Sequence, residues 1–89
     1  MATTLQINIS CGCQAVYWIK EVGWYSLLTI VPCRSHYSDS EITKFVRQIN
    51  KFIAKQLPKY EQQIENQQPI LITADRDEVF NESNIREVL

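Results

Sequence analysis

QAVYWIKEVGWYSLLTIV, residues 14–31, consists of two runs rich in aromatic and β-branched residues that are separated by a single glycine, Gly23. Two such runs around a turn residue predict a β-hairpin. We expect the turn to be centred on Gly23. The pairs then expected on one face are Val22 with Trp24, Trp18 with Leu28, and Val16 with Ile30. The opposite face is apolar as well, so both faces of this hairpin need a cover.

A chain of 89 residues forms one domain, residues 1–89, and has little material to cover a sheet on both sides. We therefore expect one apolar face of the sheet to mediate self-association into a homo-oligomer. In the alternative, the C-terminal segment covers that face. The side chains expected on the self-association face are Val16, Trp18, Trp24, Leu28 and Ile30.

Three cysteines and the only histidine converge at the open end of the expected hairpin. Cys13 and Cys33 are equidistant from Gly23, and Cys11 lies on the same side of its strand as Cys13. His36 follows Cys33 in a Cys-x-x-His spacing. The four side chains form a closed Cys₃His set, which matches the tetrahedral sulfur and nitrogen coordination of zinc.

The cysteine spacing leaves three interpretations open. Zinc is one, although Cys-x-Cys is tighter than the spacing of most structural zinc sites. A disulfide or redox switch between Cys13 and Cys33 is the second. The third is a set of inert, buried thiols, because a free cysteine packs as a small hydrophobic residue. The sequence favours the third, so we expect no cofactor, with zinc as the alternative.

The longest helix is predicted to begin after Ser38, which stands three residues before Glu41 in the spacing of a capping box. Pro58 disfavours helical geometry at the residue before it and so ends or kinks this helix. Residues 59–68 are polar and form either a second helical stretch or a loop. Apolar side chains recur at helical spacing along one face. They are Ile42, Phe45, Val46, Ile49, Phe52, Ile53 and Leu57.

The remaining segments complete the element order. Alternating apolar and polar residues predict a strand over residues 5–10, and the apolar run 70–74 predicts another. Residues 75–78 are typical of a turn, and residues 81–89 of a short helix. The order β-β-β-α-β-α predicts an α+β fold, with a small antiparallel sheet and one main amphipathic helix packed on one face.

The element order is similar to the first half of the ribonuclease H fold, and to the partial ribonuclease H fold of small antitoxins. In the nucleases, an aspartate on the first strand and another after the fourth strand bind metal. Asp75 matches the second position, but Asn8 and Ser10 stand where the first acid is needed. The resemblance thus implies the fold and argues against nuclease activity. Asp77 and Glu78 add carboxylates that could help Asp75 hold a divalent cation.

Charge is distributed unevenly, although the net charge is only -1. Residues 1–59 contain seven basic and three acidic residues, and residues 60–89 contain two and seven. Four basic residues recur along the solvent face of the predicted long helix; this basic ridge comprises Lys44, Arg47, Lys51 and Lys55. It could contact nucleic-acid phosphates or an acidic partner, although lysines on such faces commonly serve solubility.

Enzyme chemistry has little support. Two glycines cannot build a glycine-rich phosphate loop, and no Ser/His/Asp constellation is present. With no basic and apolar leader and no long apolar run, we expect a cytoplasmic protein without a membrane partner. We therefore expect a small, non-enzymatic regulatory or accessory protein that acts through protein–protein interaction and self-association. The alternative is a regulatory module that binds zinc through the Cys/His cluster or nucleic acid through the basic ridge.

Overall fold

A computed structural model describes residues 2–80, so the short helix predicted for residues 81–89 lies outside the described residues. The strands are β1 (Thr3–Ile9), β2 (Gln14–Glu21), β3 (Trp24–Val31) and β4 (Ile70–Ala74). The α-helices are α1 (Asp39–Gln56), α2 (Glu61–Glu65) and α3 (Arg76–Phe80). Two 3-10 helices, Arg34–His36 and Leu57–Tyr60, precede α1 and α2.

The four strands form one sheet in the order β3-β2-β1-β4. This confirms the α+β class and the element order up to β4. The prediction of a purely antiparallel sheet is wrong in one respect, because β4 is parallel to β1 whereas the other neighbours are antiparallel. The long connection through α1 and α2 carries the chain from β3 back to the free side of β1, where β4 pairs with β1. A parallel pair requires such a long crossover.

The predicted hairpin between β2 and β3 is present, but its predicted register is wrong. Trp18 pairs with Ser26, and Val16 pairs with Thr29. The connection contains two residues, Val22 and Gly23, which is a common hairpin length and moves the centre of the turn by half a residue. Two irregularities of register, between Val16/Tyr17 and Ile19/Glu21, shift the pairing further.

One face of the sheet is buried under α1, and the other is open to solvent. Alternation along β1 and β4 places every second side chain in the core. Leu5, Ile7, Tyr17, Phe45, Ile49 and Ile53 are among the fully buried core residues. The pattern in β3 corrects another prediction: Ile30 pairs with the buried Ala15 and packs against the core, so it does not belong to the open face.

The N-terminus of α1 confirms the prediction from its capping spacing. The Ser38 hydroxyl accepts a hydrogen bond from the backbone N–H of Glu41, at 3.4 Å. Helical structure continues through Pro58 as a 3-10 helix and then as α2, so the polar stretch 59–68 begins as helix and not as a loop. Among the described residues, no helix is both long and apolar enough to cross a membrane.

Residues 75–78 do not form only the predicted turn, because helix α3 begins at Arg76, directly after Asp75. The Glu78 carboxylate accepts a hydrogen bond from the Asp75 backbone N–H at 3.1 Å, and the Asp75 carbonyl accepts from the N–H of Glu78 at 3.0 Å. This is the spacing of a capping box, as in Ser38 and Glu41. The side-chain amide of Gln48 donates to the carbonyl of Phe80 at 2.7 Å and holds α3 against α1.

Candidate metal centre

The three thiols and the imidazole meet at one end of the sheet, as the sequence predicted. The potential ligand atoms of Cys11, Cys13, Cys33 and His36 all lie within 4.8 Å of one another. His36 Nδ1 is 3.0 Å from Cys33 Sγ, 3.3 Å from Cys13 Sγ and 3.7 Å from Cys11 Sγ. Cys13 and His36 are buried, whereas Cys11 and Cys33 are partly accessible. The cluster therefore lies at the boundary between the core and the solvent.

The connection from β1 to β2 brings Cys11 and Cys13 into the cluster. The Gly12 N–H donates to the Ile9 carbonyl, and the Ile9 N–H donates to the Cys13 carbonyl, both at 2.9 Å. Gly12 has a φ of +105°, which residues with a side chain rarely adopt. A Cβ on Gly12 would lie 3.4 Å from the Cβ of Cys33. Glycine thus permits both the turn and its approach to the third cysteine.

The 3-10 helix after β3 supplies the other two members. The His36 N–H donates to the Cys33 carbonyl at 3.0 Å, so one tight turn places the imidazole beside the thiol. The backbone N–H of Cys33 also donates to Cys13 Sγ, at 3.2 Å. This contact joins the β1–β2 connection to the end of β3, although the cysteines are not paired in the ladder.

Two aromatic rings hold the imidazole from the core side. The His36 ring lies 4.5 Å from the Phe80 ring and 6.3 Å from the Phe45 ring, measured between centroids. Phe45 and Phe80 pack edge to face at 5.7 Å. These contacts orient Nδ1 towards the thiols. Sequence reasoning did not connect either phenylalanine with the site, because α1 and α3 approach His36 only in the folded chain.

The surroundings of Cys13 and Cys33 shift the pKa values of the two thiols in opposite directions. Burial raises the pKa of Cys13 above the ordinary value of a thiol. Burial would also raise the pKa of Cys33, but hydrogen bonds from Cys13, His36 and the Ser35 backbone lower it to about 6. The lowered pKa favours the thiolate form of Cys33, which is the form that coordinates a metal.

The distances from His36 Nδ1 to the three sulfur atoms fit tetrahedral coordination. With about 2.3 Å for a zinc–sulfur bond and about 2.0 Å for a zinc–nitrogen bond, a tetrahedron places sulfur and nitrogen about 3.5 Å apart. The three distances from His36 Nδ1, 3.0 to 3.7 Å, bracket that value. The expectation of a chain without a cofactor, based on inert thiols, is thus corrected: the chain assembles a complete Cys₃His ligand set.

The other candidate residues do not form a comparable set. Across residues 2–80, no second group of three or more His, Cys, Asp or Glu side chains is placed to hold a metal ion. Asp75 instead accepts a hydrogen bond from the Ser10 hydroxyl at 3.0 Å, at the adjoining ends of β1 and β4. The four side chains of the basic ridge are exposed along α1 and remote in sequence from the cysteines.

Comparisons with known protein families, with curated proteins and with solved structures find no match to this chain. These comparisons assign the chain to no family. The case for function depends on the chemistry of the side chains.

Proposed function

We propose that this protein is a non-catalytic module whose fold is stabilised by a structural zinc ion bound to Cys11, Cys13, Cys33 and His36. The observation that carries the proposal is the convergence of four potential ligand atoms within 4.8 Å of one another. Three thiolates and one imidazole form a ligand set that structural zinc sites commonly use.

The number of ligands favours a structural role for the ion. Catalytic zinc sites keep one coordination position for water or substrate, whereas four protein ligands fill the tetrahedron. Among the described residues, no further His or acidic side chain belongs to the cluster as a general base. Four protein ligands thus support a structural zinc ion at this site.

The location of the cluster explains what the ion stabilises. It connects two parts of the chain that are far apart in sequence, namely residues 11–13 in the β1–β2 connection and residues 33–36 after β3. Small domains gain much of their stability from such a connection, because their cores bury limited apolar surface. The ion would hold the end of the β2–β3 hairpin closed.

The same thiols could form a disulfide between Cys13 and Cys33 in place of a zinc site. All three cysteines are free in the structure. A third thiol and an imidazole beside them are not needed for a disulfide, whereas a zinc site uses all four groups. Zinc binding through thiolates also agrees with the cytoplasmic location proposed from the sequence, because reducing compartments keep thiols free.

Metal analysis of the purified protein tests the proposal. We expect one zinc per chain after purification under reducing conditions without chelators. Cobalt(II) in place of zinc should give the absorption bands of thiolate coordination. Cys33→Ser, a substitution of similar size, should reduce zinc to a small fraction of one equivalent.

Ser35 provides the matched control, because its exposed side chain lies in the same 3-10 helix and outside the cluster. Ser35→Ala should keep one zinc per chain. A metal-free wild-type protein that does not take up zinc or cobalt would refute the zinc proposal. A Cys13–Cys33 disulfide under reducing conditions, detected by mass spectrometry, would refute it in favour of the alternative.

A second candidate function is protein–protein interaction through the open face of the sheet. One specific observation favours it: Trp18, Trp24 and Leu28 remain 45%, 55% and 54% exposed. Large apolar side chains grouped on one surface mark interaction sites more often than chance exposure. The regulatory or accessory role expected from the sequence would act through this face.

A further inference from the structure

We propose that the open face of β2 and β3 binds a second copy of this chain, face to face, in a symmetric dimer. This inference rests on the second candidate function above and names its partner. The dimer surface is defined here as the outward side chains Val16, Trp18, Trp24, Leu28 and Val31.

The dimer surface lies on two neighbouring strands and has clear limits. Val16 and Trp18 alternate along β2 with buried residues, and Trp24, Leu28 and Val31 are exposed on the neighbouring strand β3. The next strand, β1, turns polar side chains outward, namely Thr4, Gln6 and Asn8. Exposed apolar surface is thus concentrated on one half of the sheet.

The size of the dimer surface suits a dimer of ordinary area. A standard interface buries about 800 Å² per partner, of which about 56 to 65% is apolar. Trp18, Trp24, Leu28 and Val31 are 45 to 55% exposed and present apolar surface on the order of 400 Å² per copy, to which the partly exposed Val16 adds. That surface would form the apolar centre of such an interface, with polar neighbours at its rim.

The charge pattern favours a second copy over a partner of opposite charge. No charged residue occurs from Val22 to Cys33, and the two charged residues of β2, Lys20 and Glu21, lie together at the turn end of the surface and have opposite signs. The centres of two identical surfaces can therefore meet without placing like charges in contact. Lys20 lies at the border of the surface, where its ammonium group is 5.1 Å from the centre of the Trp24 ring. An acidic or basic partner would find no complementary charge at the centre.

β3 is also an edge strand with little protection. It is eight residues long, lies at one end of the sheet and contains neither proline nor a charged side chain. Exposed edges of this composition tend to associate with other chains unless something covers them. A defined dimer through the adjoining face would bring a second copy over this region and limit further association.

The tryptophans provide a direct readout of this dimer. The chain has only two, Trp18 and Trp24, and both belong to the dimer surface. We expect sedimentation equilibrium to give the mass of a dimer, and tryptophan emission to shift to shorter wavelength as concentration rises. The two measurements should yield the same dissociation constant, because dimer formation removes both rings from water.

Leu28→Lys places a charge at the centre of the dimer surface, and Leu71→Lys is the matched control. Leu71 is 64% exposed, on β4 at the opposite edge of the sheet. Leu28→Lys should raise the dissociation constant on the order of 100-fold, because it buries an unpaired charge. Leu71→Lys should leave the dissociation constant within about threefold of wild type. A tenfold change would correspond to about 1.4 kcal/mol.

Circular dichroism should show that both variants keep their secondary structure. A wild-type protein that remains monomeric up to hundreds of micromolar, with unchanged emission, would overturn the inference. So would a folded Leu28→Lys protein that dimerises as wild type does. Zinc content measured on the same samples separates the proposals: a zinc-loaded monomer refutes the dimer alone, and a metal-free dimer refutes the metal site alone.

Discussion

Gly12 shows how much of the metal centre depends on single residues. Its φ of +105° allows the turn between the two cysteines of Cys11-Gly12-Cys13, and its missing side chain allows Cys33 to approach. A glycine that interrupts the alternating pattern of a strand commonly marks a turn, so the turn itself is a local feature of the sequence. The close approach to Cys33 could not be predicted, because it joins positions separated by the whole hairpin.

Gly12→Ala should destabilise the protein by about 1 to 2 kcal/mol, because an L-residue is strained at this φ. It should also weaken zinc binding, since the added Cβ would displace the turn that carries two ligands. Chemical denaturation and a zinc competition titration measure the two effects.

Gly23→Ala is the control, because no atom lies within 4 Å of a Cβ at that position and its φ is outside the left-handed region. It should change the free energy of unfolding by less than about 0.5 kcal/mol. Equal effects of the two substitutions would contradict the role assigned to Gly12.

Strand β2 and helix α1 are joined by one buried polar contact within an apolar layer. The hydroxyl of Tyr17 donates a hydrogen bond to the side-chain oxygen of Asn50. Burial, and secondarily the charge of Tyr25, raises the pKa of Tyr17 above its ordinary value of about 10. The folded state therefore favours the neutral Tyr17 hydroxyl, which lies between the sheet and α1.

The raised pKa predicts a loss of stability in alkali. The contribution of Tyr17 is fully present below pH 10 and declines as pH rises, because the unfolded chain ionises first. The free energy of unfolding should fall by up to about 1.4 kcal/mol per pH unit above pH 10.

Urea denaturation at several pH values checks this, with Tyr17→Phe compared with Tyr37→Phe. Tyr37 is 72% exposed, so its substitution should leave the alkaline slope unchanged. Tyr17→Phe should reduce the slope. If both variants follow the wild-type profile, the neutral Tyr17 hydroxyl does not link β2 to α1.

The element scale also shows where reasoning from sequence was incomplete. The spacing of Ser38 and Glu41 correctly predicted the start of α1. Asp75 and Glu78 have the same spacing, yet a turn was predicted there in place of α3. The acidic cluster drew attention to metal binding, although the local hydrogen bonds of a helix start account for the Asp75 and Glu78 contacts.

At the scale of the whole molecule, the zinc site and the core should stabilise each other. An ion that binds only the folded chain adds free energy that grows with the ratio of free zinc to its dissociation constant, about 4 kcal/mol at a ratio of 1,000. Removing it would leave a small α+β domain held by its apolar core alone.

We therefore expect a strong chelator to lower the melting temperature by more than about 10 °C. In a domain of this size, each kcal/mol of unfolding free energy that is lost lowers the melting temperature by a few degrees. Adding zinc in excess of the chelator should restore it. Cys33→Ser should melt like the chelated wild type and should not respond to zinc. A wild-type melting temperature that does not change with zinc or chelator would show that the cluster does not stabilise the fold.

The four strands, the long helix α1 with its apolar side, and the meeting of the three cysteines with His36 could be predicted from the chain alone. They depend on periodicity, capping and glycine, which act over a few residues, or on a hairpin whose two halves are close in sequence. Even a wrong register brought the cysteines together, because an error of one residue moves them by only about 3.4 Å.

Tertiary structure decided the rest. The parallel β1–β4 pair, the inward side of Ile30 and the packing of Phe80 on His36 depend on contacts between distant segments. A shift of one residue in a strand reverses which face a side chain occupies, so small local irregularities settle the composition of each face. The distances around His36 Nδ1 are set jointly by two separate segments, residues 11–13 and 33–36, and no single stretch of sequence contains that information.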